Sequence, residues 1–180
     1  MAELIFATRN NTKTQVSWHI GQHGGLQATG DQAGICSAMS AVWVSRSIRK
    51  GAPLADRSEL GSQHNNAIVM GARMVGGHDR RWILEAQGLS IVKETLGAPT
   101  VPFILLNEMK KYNGYTYFST GGSGGRHAMA VGIVNGDNYF FDPNFGMYKL
   151  GNVEFISFVG NHLTSVYADL LDDFATYNVA

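Results

Sequence analysis

The sequence has little of several features that mark particular classes of protein. It contains one cysteine, Cys36, so no disulfide can form within the chain, and a disulfide-stapled secreted domain is excluded. Charged residues make up only 16%, and 14 basic residues balance 14 acidic ones, whereas a general nucleic-acid binder usually has a basic excess. No apolar run approaches the roughly 18 residues of a membrane span, and the apolar run near the N-terminus is too short for a secretory signal. We therefore expect no nucleic-acid partner, no stable membrane insertion and no cleaved signal peptide.

The composition is that of a folded domain. Apolar residues make up 44% of the 180 residues, which is too many for a disordered chain and enough for a sizeable core. No internal repeat is visible. The sequence therefore predicts a single domain over residues 1–180.

Hydrophobic periodicity changes from one half of the chain to the other. Apolar residues recur at three- and four-residue steps in the first half, which predicts helices, and they alternate in the second half, which predicts strands. The predicted helices cover about 36–49, 57–75, 80–95, 102–111 and 153–171, and the predicted strands cover 115–118, 127–134, 139–142 and 145–150. Because helices precede an antiparallel meander, the expected fold class is α+β rather than doubly wound α/β.

Two turn segments flank the strand that begins near His127. The Gly-rich segment 121–125 is expected to be a flexible loop that could gate a cleft, and residues 135–138 give a strong hairpin signal. A hairpin centred near Asp137 would place Asp142 opposite residue 132. We therefore expect a bulge or an offset to bring Asp142 near His127.

Cys36, His127 and Asp142 have the chemistry of a nucleophilic triad. Cys36 lies at the start of a predicted helix, where partial positive charge and unpaired N–H groups favour the thiolate. An adjacent imidazolium from His127 would favour it further and later donate a proton to the leaving amine. Asp142, accepting from the other ring nitrogen, would fix the orientation of the imidazole. The residues thus predict Cys36 as nucleophile, His127 as base and Asp142 as the orienting carboxylate.

An oxyanion intermediate also needs hydrogen-bond donors. The backbone N–H of Cys36 is one candidate, and a side-chain amide just upstream would be the second. Gln32 is the nearer of two such amides, with Gln27 in reserve.

Each of these residues also has a structural interpretation. Cys36 could be an inert buried thiol, His127 a hydrogen-bonded core histidine, and Asp142 part of a turn with the following Pro and Asn. The other histidines form no recognisable ligand pattern, and the chain has no second cysteine, so neither a metal nor a cofactor is predicted.

Three segments resemble motifs of the YopT/AvrPphB family of bacterial effector cysteine proteases. The segment 34–43 is similar to the family's Gly-x-Cys nucleophile segment, with its hydrophobic-Ser pair and Trp. The segment 127–131 resembles its His-Ala-x-Ala-aliphatic strand, and 140–146 resembles its aromatic-Asp-Pro-Asn-aromatic-Gly segment. All three occur in the family's order, and the wide gap between Cys36 and His127 suits an insertion of helices.

The resemblance implies a papain-like fold and a cysteine hydrolase that cleaves a host protein with a Cys-His-Asp triad. It also implies secretion without a cleaved signal peptide and action in the host cell cytoplasm. Two alternatives remain open: a glutamine deamidase of a host signalling protein on the same scaffold, and a non-catalytic host-protein-binding effector with a vestigial triad. The sequence predicts neither the substrate's identity nor the oligomeric state.

Overall fold

The computed structural model describes residues 1–8, 34–61, 80–98 and 100–180. Within these ranges, seven strands and four α-helices form the regular structure. In chain order they are β1 (Glu3–Ala7), α1 (Gly34–Lys50), α2 (Arg80–Glu85), β2 (Ile91–Ala98), α3 (Pro102–Met109), β3 (Gly114–Gly122), β4 (Gly125–Val134), β5 (Asp137–Asp142), β6 (Gly146–Leu150), α4 (Glu154–Val166) and β7 (Asp173–Val179), with 3₁₀ turns at Arg57–Leu60 and Ala168–Leu170. None of the helices in these ranges is both long and apolar enough to cross a bilayer.

The seven strands form one sheet in the order β1-β6-β5-β4-β3-β7-β2. Every neighbouring pair is antiparallel. Consecutive hairpins build the run from β3 to β6, whereas β7 returns from the C-terminus to lie between β3 and β2. An antiparallel sheet with helices packed on it is an α+β arrangement, so the predicted fold class is confirmed.

The sheet separates two hydrophobic cores. Successive side chains of a strand point to opposite faces, and on β4 Ala128 and Ala130 belong to one core while Met129 and Val131 belong to the other. The first core is shared with α1 and α2, and the second with α3 and α4. The small alanines on the α1 side suit close helix packing, and Ser40 of α1 donates a hydrogen bond to the Ala128 carbonyl at 3.1 Å.

Helix α1 is the central helix of the first core. Nearly every side chain from Cys36 to Ser45 is buried, as expected for a helix that is enclosed on most sides. Trp43 stacks on Phe141 with ring centroids 5.5 Å apart, which fixes the helix against the sheet. The helix ends with two basic residues followed by Gly51, whose φ of 72° is typical of a left-handed C-terminal cap.

Two predicted helices differ from the structure. The prediction for 80–95 is wrong beyond Glu85, because Gly88 adopts a φ of 75° and the chain then pairs as β2 with β7. The predicted helix 153–171 ends at Val166, and β7 follows it without having been predicted. Of the predicted helix 57–75, the structure describes a 3₁₀ turn at its start, and residues 62–79 lie outside the described ranges.

The Gly-rich segment 121–125 is mostly strand. Gly121 and Gly122 end β3 and Gly125 begins β4, so a two-residue turn separates the strands. A Cβ on Gly122 would lie 2.3 Å from the Asp169 carbonyl oxygen. Glycine is therefore needed there for close packing against the chain after α4, and the predicted loop is wrong.

Candidate active site

The first turn of α1 carries Cys36, whose side chain is only 3% exposed. The neighbouring Ser37 hydroxyl forms a 2.5 Å hydrogen bond with the Tyr117 hydroxyl of β3. Together with the bond from Ser40 to β4, this contact fixes the start of the helix against two central strands. The thiol thus lies in a fixed position near a helix N-terminus, where N–H groups and partial positive charge stabilise anions.

The β4–β5 hairpin brings His127 and Asp142 together. Asn135 and Gly136 have φ values of 54° and 83°, as the two central residues of a type I′ turn require. Ala130 therefore pairs with Phe141. Asp142 is the next residue of β5, so it lies on the opposite face of the sheet from Phe141, which is the face that carries His127. The predicted placement of Asp142 opposite residue 132 is wrong, because the turn is centred between Asn135 and Gly136 rather than near Asp137. Gly132 pairs with Tyr139 instead, and no bulge is needed.

Four donors converge on the buried carboxylate of Asp142, whose side chain is fully inaccessible to solvent. Oδ1 accepts from His127 Nε2 at 2.9 Å and from the Asn144 backbone N–H at 2.9 Å. Oδ2 accepts from His162 Nε2 at 2.7 Å and from the Tyr167 hydroxyl at 2.9 Å. Burial raises the pKa of Asp142, but the charge of His127 and the hydrogen bonds from His127, His162 and the Asn144 backbone lower it by more, so the pKa lies well below its usual range. Asp142 is therefore ionised at neutral pH.

The imidazole of His127 lies between Cys36 and Asp142. Because Nε2 contacts the carboxylate, Nδ1 is the nitrogen left for the side-chain hydrogen bond with Cys36. Burial lowers the pKa of His127, but the charges of Cys36 and Asp142 and the hydrogen bonds to both raise it to about 10. The Tyr167 ring stacks on the imidazole, with centroids 4.5 Å apart and planes 25° apart. His127 can therefore be an imidazolium at neutral pH, held in one orientation.

This arrangement has the parts needed for attack on a carbonyl. A cysteine at a helix start can serve as a nucleophile, and an adjacent imidazolium can transfer a proton to a leaving group. In the part of the chain that the structure describes, no group of His, Cys, Asp and Glu residues could hold a metal ion. The expectation that no cofactor is needed stays a prediction.

The candidate oxyanion residues Gln32 and Gln27 lie outside the described residues. The role of Gln32 therefore stays a prediction from its position before Cys36. The backbone N–H of Cys36, in the first turn of α1, is the other candidate donor.

Sequence reasoning missed His162 and Tyr167. Neither lies in a recognised motif, and both follow Asp142 by 20 residues or more. A pattern that could have found His162 is its helical phase, because it falls three and seven residues after the buried Val159 and Phe155. A polar residue on an apolar helix face indicates a buried partner.

Comparisons with known proteins identify a family and a similar fold. A family model named Peptidase_C58 and described as Yersinia/Haemophilus virulence surface antigen matches residues 81–171, a range that contains His127 and Asp142 and begins after Cys36. Among solved structures, the crystal structure of the Pseudomonas avirulence protein AvrPphB is similar, with a TM-score of 0.61 and 14% identity over 81% of this chain and 91% of that chain. A search of curated proteins finds no significant match.

At 14% identity the structural likeness shows a shared fold, and it confirms the papain-like architecture predicted from the motifs. The family model covers just over half of the chain and includes two of the three motif segments. The motif resemblance and the family match therefore agree, and the chain belongs to the Peptidase_C58 family, the YopT/AvrPphB type of cysteine protease.

Proposed function

We propose that this protein is a cysteine protease in which Cys36 attacks a peptide carbonyl, His127 shuttles the proton and Asp142 orients His127. The observation that carries the proposal is the position of one buried imidazole, which hydrogen-bonds the only thiol of the chain and an ionised carboxylate. A histidine with a purely structural role in the core would need neither a thiol nor a carboxylate as its hydrogen-bond partner.

The proposed reaction has two stages. The thiolate of Cys36 adds to the amide carbonyl, and the imidazolium of His127 donates its proton to the departing nitrogen, which leaves an acyl-enzyme. A water molecule then attacks the acyl carbonyl while the neutral imidazole accepts a proton from it, and the C–S bond breaks to release the carboxylic acid product and restore the Cys36 thiolate. Asp142 stays ionised throughout and stabilises the imidazolium each time it forms.

The substrate that we propose is a protein of a host cell. The description of the family model names a virulence surface antigen, and the similar solved structure is that of an avirulence protein. Both descriptions support export from a bacterium and action inside a host cell. We propose export without a cleaved signal peptide and action in the host cytoplasm.

The proposal is tested by alkylation of Cys36 with iodoacetamide from pH 5 to 9, followed by intact mass spectrometry. The chain has a single cysteine, so each added carbamidomethyl group reports one site. We expect rapid labelling well below pH 8 in the wild type and loss of that low-pH reactivity in His127→Ala, because the imidazolium stabilises the thiolate. Cys36→Ser is the control for off-target labelling.

Labelling that rises only near pH 8 to 9 and is the same in His127→Ala would contradict the proposal. A non-catalytic binding role for the same fold would then explain the site better. If the thiol is activated, incubation with host-cell proteins separates two reactions: a new N-terminus indicates proteolysis, and a gain of about one dalton without cleavage indicates glutamine deamidation. Both reactions begin with the same thiolate attack on an amide.

A further inference from the structure

The second oxygen of Asp142 is held by a histidine that belongs to no motif. His162 of α4 donates from Nε2 to Asp142 Oδ2 at 2.7 Å, slightly shorter than the 2.9 Å contact from His127 to Oδ1. Asp142 therefore bridges two imidazoles, one on each oxygen. Hydrogen bonds to a charged acceptor are stronger and more directional than those between neutral groups.

His162 has a fixed orientation because aromatic rings surround it. Its side chain is 11% exposed, and four rings lie around it with centroids 4.9 to 6.4 Å from its own: Phe140, Phe145, Phe158 and Tyr167. Within the described residues, Asp142 is the hydrogen-bond partner of this side chain. An imidazole in an apolar cage loses its hydration, and a hydrogen bond to a carboxylate compensates for that loss.

The Tyr167 hydroxyl assists His162 at the same oxygen. The Asn144 side-chain amide donates to the Tyr167 oxygen at 3.1 Å, so the hydroxyl proton is directed to Asp142 Oδ2 at 2.9 Å. Burial and the adjacent charge of Asp142 raise the pKa of Tyr167, so the hydroxyl keeps the proton that it donates. With Oδ2 occupied by two donors, Oδ1 is the oxygen left for His127 and the Asn144 backbone N–H.

We propose that His162 is a positioning residue: by anchoring Oδ2 of Asp142 it holds Oδ1 toward His127, and so keeps the imidazole aligned with Cys36. This inference rests on the proposed function. His162 lies 20 residues after Asp142 on the helix that covers this face of the sheet, so the alignment of the site depends on the docking of α4.

The test compares three variants by alkylation rate at pH 6.5. His162→Phe keeps an aromatic ring in the cage and removes the donor, and His162→Gln restores an N–H donor. Val159→Ala, at a buried position of the same helix whose side chain has no hydrogen-bond donor, is the control for loosened packing. Loss of a group that orients a metal ligand through one hydrogen bond typically lowers affinity or activity by about 10- to 100-fold. We expect an alkylation rate roughly tenfold lower in His162→Phe, because Tyr167 still donates to Oδ2. The rate should recover in His162→Gln and stay near wild type in Val159→Ala.

A wild-type rate in folded His162→Phe would overturn the inference, as would an equal loss in Val159→Ala. Nitrogen-15 NMR of the wild-type histidines supplies a readout that requires neither a variant nor a reactive thiol. The inference requires Nε2 of His162 to be protonated, and the tautomer with the proton on Nδ1 alone would refute it. If the thiol of the wild type proves unreactive, the proposed function fails while this measurement still decides whether His162 donates to Asp142.

Discussion

Replacement of Asp142 by asparagine removes a charge from the site while nearly preserving the shape of the side chain. The carboxylate accepts four hydrogen bonds at 2.7 to 2.9 Å in a fully buried setting. The backbone N–H of Asn144 can only donate, so the new amide should turn its oxygen toward that N–H and His127. The new NH₂ group then faces His162 and Tyr167, which must change tautomer or rotate to accept.

The energetic cost follows from that count of donors. A hydrogen bond to a charged group contributes about 1.5–3 kcal/mol to stability. In Asp142→Asn, the hydrogen bonds from His127 and Asn144 are weakened and the two to the other oxygen are disrupted. We therefore expect a loss of roughly 3 kcal/mol in the free energy of unfolding. Asp142→Ala leaves all four donors without their acceptor, and we expect a loss above about 4 kcal/mol, which is exceptional for one substitution.

Urea denaturation of the two variants measures these losses, and Cys36 alkylation at pH 6.5 measures the effect on the site. We expect alkylation to be at least about tenfold slower in Asp142→Asn. Each unit by which the pKa of His127 falls makes the imidazolium less stable by a factor of ten. Asp137→Asn is the matched control, because Asp137 begins the same strand and pairs with Lys149 at an exposed position. Exposed ion pairs contribute about 0–1 kcal/mol. If Asp142→Asn and Asp137→Asn had equal effects, the convergence of donors on Asp142 would not control the site.

Two further predictions concern backbone fit and pH. A Cβ on Gly146 would lie 2.1 Å from the Phe6 carbonyl oxygen at a φ of 140°, whereas Gly136 has a φ of 83° and open space. We therefore expect Gly146→Ala to lower the melting temperature well beyond the change in Gly136→Ala, which should cost about 1–2 kcal/mol; equal shifts would mean that β1 is not held against β6. The pKa of His127 is raised to about 10, so its contribution to stability is complete below about pH 6.5 and is lost as the pH rises toward 10. The free energy of unfolding should fall over that range more steeply in the wild type than in His127→Gln, and parallel curves would refute the raised pKa.

The three triad candidates could be predicted from sequence because each lies beside a strong local pattern. Cys36 opens an apolar-faced helix, His127 begins an alternating strand, and Asp142 ends the partner strand of a hairpin. The register was the part that failed, although the Asn135–Gly136 pair is a strong type I′ signal and would have given the observed pairing. The pair formed by His127 and Asp142 is therefore local in sequence.

The edge of the sheet could not be predicted in the same way. Residues 91–98 combine β-branched residues with apolar spacings that also fit a helix, and they form β2 because β7 pairs with them. β7 in turn lies beside β3, which is about 60 residues earlier in the chain. Pairing between strands so far apart in the chain depends on the whole fold rather than on a local sequence pattern. His162 was missed for the same reason, since its partner lies on another element.

The division of the interior by the sheet has a consequence for when the contact between Cys36 and His127 forms. Cys36 belongs to the core on the α1 side, whereas His127 and Asp142 share the other face with α4 and Tyr167. A chain in which helices have packed on only one face of the sheet has either Cys36 or His127 in place, but not both. Contact between Cys36 and His127 requires that both layers have packed on the sheet. In a refolding experiment, the rapid thiol reactivity should therefore return no earlier than the slowest packing event of the two layers.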